Sequence, residues 1–269
     1  SGGYRAVTPN ACPACFSPLF LYVGVGTEKL LDLAGQAFPE VRGERLDTDS
    51  VRLKGGLKKI LGGFARGEYD FLVGTQMAAK GHDFPNLTLV GVVDADLCLN
   101  LPDFRAAERT FQLLSPVSGR AGRAERPGTV LIQTLIPPHP VLQAVVDHDY
   151  ERFFASEIES RAILRYPPFA RLALVRLTGP DETELNALSE KAGEIGRRLA
   201  EPNEDRLEFM GPVPSPLARI KDRYRFQFLV RAEEVGIRHE FLKNWLPEVR
   251  KILGAGVRLL VDIDPYHLL

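Results

Sequence analysis

Two arginines three residues apart, Arg120 and Arg123, lie in the run Gly119-Arg120-Ala121-Gly122-Arg123. A guanidinium presents parallel N–H donors to phosphate oxygens. Held at a reacting phosphoryl group, it can speed transfer by roughly three to five powers of ten. Gly119 and Gly122 add no Cβ, so the backbone there can approach a phosphate closely. Such a run could equally be a solvated basic turn. The upstream segment Gly74-Thr75-Gln76-Met77-Ala78-Ala79-Lys80-Gly81-His82-Asp83-Phe84-Pro85 argues for the phosphate role. There, Gly81 and Asp83 follow the apolar run Phe71-Leu72-Val73, as a second glycine-pinned turn after a strand. His82 is a weaker acid–base candidate. Asp94 and Asp96 could hold a metal, but they read better as strand-end residues that orient loops or cap the next segment.

Two further groups have chemical potential. Cys12 and Cys15 form a Cys-x-x-Cys pair, half of a tetrahedral zinc site. The third cysteine, Cys98, lies in apolar sequence and reads as core. Arg219, Lys221, Arg223 and Arg225 alternate, and in one strand a period of two would put all four on one face. Ile220, Tyr224, Phe226 and Phe228 are available for the apolar side, interrupted by Asp222, and the basic face would suit phosphate contacts with stacking aromatics nearby. The competing reading is an edge hairpin kept soluble by its charge. Trp245 reads as core.

The elements that position these residues follow from hydrophobic period. Leu19–Gly24, Val41–Leu46, Phe71–Val73, Leu87–Val93 and Thr129–Leu135 read as strands. Glu28–Phe38, Leu57–Ala65 and Phe104–Leu114 read as helices between them. Alternating strand and helix predicts a parallel sheet covered by helices. Val141–Ile163 predicts one long helix or two, and Tyr166-Pro167-Pro168 is a stiff break. From Arg171 the order becomes β-α-β-β-α-β, which predicts a ferredoxin-like sandwich.

The chain has 269 residues, enough for two cores. Its net charge is −1, so nucleic acid would be drawn only by local basic faces. Three cysteines are too few for a disulfide framework and suit a reducing cytosol. No run of about 20 apolar residues occurs, so no membrane span is expected.

The ordered set of motifs resembles the PriA family of replication-restart helicases. Gly81-His82-Asp83-Phe84-Pro85 and Gly119-Arg120-Ala121-Gly122-Arg123 match motifs V and VI of superfamily-two helicases. The likeness extends to Gly74-Thr75-Gln76-Met77, Pro102-Asp103-Phe104-Arg105-Ala106, Tyr166-Pro167-Pro168-Phe169 and Gly211-Pro212-Val213-Pro214. Pro116 departs from the pattern: it stands where the family has a glutamine, and removes both an amide side chain and a backbone donor.

The resemblance implies an α/β chain: a remnant of a zinc-binding insertion over 1–18, a RecA-like second helicase lobe over 19–165, and a ferredoxin-like DNA-binding domain over 166–269. It implies ATP-driven 3′–5′ unwinding by the intact protein, with Arg120 and Arg123 catalytic and Gly81, Asp83, Gly119 and Gly122 at the nucleotide. Thr75, Gln76 and Lys80 would meet DNA, together with Arg219, Lys221, Arg223 and Arg225. ATP and Mg²⁺ would be held mostly by another lobe, because the phosphate-gripping Gly-x-x-x-x-Gly-Lys motif is absent from these 269 residues. The chain alone is therefore expected to lack ATPase activity. Zinc would need cysteines beyond Cys12 and Cys15, so the site here is expected to be empty. Implied partners are forked or single-stranded DNA, single-strand-binding protein and the primosome's helicase-loading proteins, in the cytoplasm near the nucleoid. The alternative is a non-catalytic fork-binding scaffold with a degenerate motor.

Overall fold

A computed structural model describes residues 26–46, 56–75, 87–118 and 128–269. The expected strand at Leu19–Gly24, and Cys12, Cys15, Gln76, Lys80, Gly81, Asp83, Gly119, Arg120, Gly122 and Arg123, lie outside the described residues. The described chain forms two compact units. One runs to Phe154; the other holds 155–269 together with the short segment Pro102–Arg105. The division thus falls inside a helix, before the expected break at residues 165 and 166.

The first unit alternates helix and strand as its apolar spacing requires. Helix α1 (Thr27–Ala37) precedes β1 (Gly43–Leu46), and α2 (Gly56–Ala65) lies between β1 and β2 (Phe71–Gly74). β1 and β2 pair in parallel, Gly43 opposite Phe71 and Leu46 opposite Gly74. Parallel pairing needs a crossover, and the sequence between them supplies one with a helix. At the amino ends of both strands Arg42 and Asp70 form a clasp: the Arg42 backbone N–H and Nε donate to Asp70 Oδ2 at 2.9 and 3.0 Å.

Strand β3 (Leu89–Val92) pairs in parallel with β4 (Thr129–Ile132). Between them lie α3 (Asp96–Leu99) and α4 (Ala106–Ser118). The apolar positions of α4 recur at helical spacing and bury Ala106, Phe111, Leu114 and Val117. They meet α5 (Pro140–Val146) and the start of α6 (Tyr150–Ile163), where Phe111 stacks on Phe153 at 4.2 Å. The expected 141–163 helix is therefore two helices. His148, at φ 53°, turns the chain between them.

The second unit contains β5 (Arg171–Gly179), α7 (Glu182–Ala200), β6 (Leu207–Ile220), β7 (Arg223–Ala232), α8 (Val235–Ile252) and β8 (Arg258–Ile263). Its sheet is fully antiparallel in the order β6-β7-β5-β8. Alternation along β5 and β7 puts Ala173, Val175, Leu177, Phe226, Phe228 and Val230 into one core with residues of α7 and α8. Burying each large apolar side chain stabilises the fold by about 1.5–3 kcal/mol.

Trp245 is the hub, fully buried, with its ring edge-on to Phe209 and Phe228 at 5.0 and 5.2 Å. Its indole N–H donates to Ala192 O at 2.9 Å, so the one polar atom of the side chain is satisfied. Helix α7 is opened by Asp181, whose carboxylate accepts from Glu184 N at 2.8 Å. Acidic residues begin α7 and arginines end it, which suits the helix dipole. Gly196 lets α7 close on β6: a Cβ there would sit 2.3 Å from the Phe209 ring.

Candidate nucleic-acid and nucleotide interface

Thr75 is exposed directly after the carboxyl end of β2. Open α/β sheets bind ligands beyond the carboxyl ends of their strands, so the chain enters the Gln76–Asp83 segment from the expected side. Helix α4 continues through Pro116 to Ser118, and Gly119 is the next residue. The proline removes one helical donor without ending the helix.

Among the described residues, Asp94 and Asp96 belong to no group of three or more His, Cys, Asp or Glu side chains that could hold an ion. Asp96 is buried and satisfied. Its Oδ1 accepts from Thr134 Oγ1 at 2.5 Å and its Oδ2 from Leu135 N at 2.7 Å, joining the segments that follow β3 and β4. Cys98 is half-buried, and burial, followed by the nearby Asp94 charge, raises its thiol pKa. It resembles a core residue rather than a reactive thiolate.

Two of the motif pieces singled out in the sequence pack on each other in the second unit. Phe104 stacks on Tyr166 at 5.2 Å. The Arg105 guanidinium lies over Phe104 and Tyr266, and Arg231 lies over Tyr166. Asp103 Oδ2 accepts from Leu268 N at 3.2 Å. Pro102–Arg105 therefore lies outside the helix expected from Phe104 and packs within the C-terminal unit.

The basic run is a hairpin, not a single strand face. Lys221 and Asp222 form its two-residue turn, with φ of 50° and 59°. Crossing that turn changes parity. Arg219 pairs with Tyr224 and Ile220 with Arg223, so Arg219 lies on the opposite face from Arg223 and Arg225. Arg219 donates to Asp222 Oδ1 at 2.9 Å and lies over the Tyr224 ring, which leaves its charge largely answered at the tip. Arg223 donates to the carbonyls of Thr178 and Gly256. Phe226 and Phe228, read as the apolar side of the strand, point into the core.

Cross-strand register supplies what the local pattern missed. On the face of Arg225, Thr178 of β5 is flanked by Arg225 of β7 and Arg258 of β8. One pleat along, Arg176 is flanked by Gln227 and Leu260. Burial lowers the pKa of Arg225. Burial first, and the charge of Arg225 second, lower that of Arg176. The alternation of Leu172, Leu174, Arg176 and Thr178 was visible in the sequence, but their neighbours depend on the register.

The two units coincide with two known domain families. Residues 42–125 match the helicase conserved C-terminal domain, and residues 162–266 match the primosomal protein N C-terminal domain. The first implies a RecA-like lobe. Replication restart protein PriA from Synechocystis sp. is 43% identical over 98% of this chain and 31% of the relative. PriA from Bacillus subtilis is 41% identical over 99% of this chain and 33% of the relative. PriA from Treponema pallidum is 38% identical over 99% and 40% respectively. Over nearly its whole length the chain is similar to proteins named replication restart protein PriA. It spans about a third of the length of the Synechocystis and Bacillus relatives. Helicase action, DNA replication and the primosome are the functional setting of the PriA family. No helix among the described residues is long and apolar enough to cross a membrane.

Proposed function

We propose that this chain is the C-terminal portion of an ATP-dependent 3′–5′ DNA helicase that restarts replication at stalled forks. The observation that carries the reading is the order of the two domain matches within a chain that aligns with PriA over 98% of its length. The β-α-β-β-α-β order and the strand order β6-β7-β5-β8 support a ferredoxin-like sandwich for the C-terminal unit. That unit would bind forked or single-stranded DNA. The first would meet DNA through Thr75, Gln76 and Lys80, and nucleotide through Gly81, Asp83, Gly119 and Gly122. Arg120 and Arg123 would stabilise charge on the transferred phosphoryl group. ATP and Mg²⁺ would be held mainly by a partner lobe that carries the phosphate-binding loop, and zinc by Cys12 and Cys15 with further cysteines. Single-strand-binding protein and helicase-loading proteins of the primosome are the proposed partners, in the cytoplasm.

Arg123→Ala in the intact protein tests the motor. DNA-stimulated ATP hydrolysis is expected to fall by at least about a thousandfold, with nucleotide binding largely kept. Unchanged turnover removes Arg123 from the transition state. Pro116 favours a second reading, a fork-binding scaffold whose motor has lapsed, because the glutamine amide is missing there. Absence of DNA-stimulated hydrolysis in the intact wild-type protein selects the scaffold.

A further inference from the structure

We infer that the Arg176 end of the sheet face turned away from α7 and α8, rather than the tip of the β6–β7 hairpin, seats a nucleic-acid backbone, with Arg225, Arg176 and Arg258 holding its phosphates. The inference rests on the DNA-binding reading above and assigns it a place.

The face is defined by register. Arg225, Thr178 and Arg258 form one row across β7, β5 and β8, and Val213, Gln227, Arg176 and Leu260 form the next across all four strands. Two strand spacings separate the backbones at Arg225 and Arg258, about 10 Å, and one pleat repeat of about 7 Å separates the rows. Three guanidiniums therefore converge on a patch the width of a polynucleotide backbone. At its edges Val213 and Leu260 are 48% and 55% exposed, apolar surfaces against which sugars and bases can lie.

The charge of Arg225 is poorly answered from within: it gives one N–H to Leu217 O at 3.3 Å, a neutral carbonyl and not a carboxylate. Arg176 gives one N–H to Leu269 O at 2.9 Å and has Asp262 as a nearby acid, so its charge is partly answered. The buried Nε of Arg176, a donor, has no hydrogen-bond partner. Holding Arg176 and Arg225 together as like charges costs stability, and an anion laid across their guanidiniums would recover it. The hairpin tip is the reverse case. Arg219 already has Asp222 and the Tyr224 ring, and Arg223 is spent on two backbone carbonyls. Phosphodiester fits better than an isolated carboxylate, because the cations are spread over two rows and flanked by apolar surface instead of closing on one point.

The test is fluorescence anisotropy of the 269-residue chain with labelled oligo-dT over a salt series. Each phosphate contact on single strands contributes about 0.7 to the slope of log K against log salt. The double variant Arg225→Gln/Arg258→Gln is expected to lower that slope by about 1.4 and to weaken low-salt binding at least tenfold. Arg219→Gln is expected to leave both unchanged. Arg225→Lys/Arg258→Lys should restore most of the slope, and unchanged circular dichroism melting separates a lost contact from lost folding. If Arg219→Gln or Lys221→Gln lowers the slope while the double variant does not, the open-face assignment is overturned and DNA binding by the C-terminal unit stands. If wild-type chain shows no salt-dependent binding to oligo-dT, the DNA-binding reading itself is overturned. If the double variant loses only the binding of an oligo-glutamate probe, the face serves an acidic protein segment and the inference is likewise overturned.

Discussion

The first unit places its chemical residues in the segments between short parallel strands; the second places them on the pleat of a four-stranded antiparallel sheet. In the first, the proposed phosphate role is read from neighbours in sequence, because glycines and arginines close together suit a phosphate site. In the second, neighbours in space come from three strands far apart in the chain, and only the register brings Arg225, Thr178 and Arg258 into one row. The two units also differ in what holds them. The second centres on one aromatic hub, Trp245 with Phe209, Phe228 and Phe241 around it. The described core of the first gathers under α4 and α5. Stability and chemistry are therefore separable in different ways. Damage to the hub should abolish the open basic face, whereas loop substitutions in the first unit should remove function and leave folding intact.

The largest effect expected of any stability variant follows from the hub. Trp245→Ala removes a fully buried ring and its hydrogen bond to Ala192 O, which should cost about 3–5 kcal/mol. Urea unfolding followed by far-ultraviolet circular dichroism would show the C-terminal unit melting first and oligo-dT binding lost with it. A single unshifted transition would mean that the hub does not carry this unit. Gly196→Ala is a smaller break in the same core. Its new Cβ would meet the Phe209 ring 2.3 Å away, so either α7 or the ring must move. Overpacking of this kind should cost about 1–3 kcal/mol. Because Trp245 is the only tryptophan and touches Phe209, its fluorescence midpoint reports the change directly.

Legibility in the sequence follows the same contrast. The period of Leu30, Leu31 and Ala34 gave α1, and the alternation around Arg176 gave β5, because each depends on local spacing. Trp245, read as core because a tryptophan is more often core than a base-stacking platform, is fully buried. The single-face reading of Arg219, Lys221, Arg223 and Arg225 failed at the Lys221-Asp222 turn: period two holds along a strand but not across a hairpin. Phe104 was read into a helix from its apolar neighbours, yet stacking on Tyr166 holds it outside α4. That contact spans a sequence separation no local pattern encodes. Arg176 and Arg258 were invisible as a pair for the same reason.

The smallest expected effect probes the surface of the first unit, at the Arg42–Asp70 clasp. The Arg42 guanidinium hydrogen bond first, and its backbone N–H second, hold the Asp70 carboxyl below its usual range. A carboxyl whose folded pKa is depressed stabilises the fold above its unfolded pKa, about 3.9, and loses that contribution as pH falls through the folded value. Both side chains are exposed, so solvent screens most of the pair's attraction. Asp70→Ala should therefore lower the unfolding midpoint of the first unit only slightly at pH 7. The difference should shrink further in high salt and vanish as acid protonates the wild-type carboxyl. Unfolding monitored by hydrogen exchange at β1 and β2 would resolve it. A large, salt-insensitive loss would show instead that the clasp fixes the parallel register of Gly43 against Phe71. The first unit would then depend on a surface contact as heavily as the second depends on its aromatic hub.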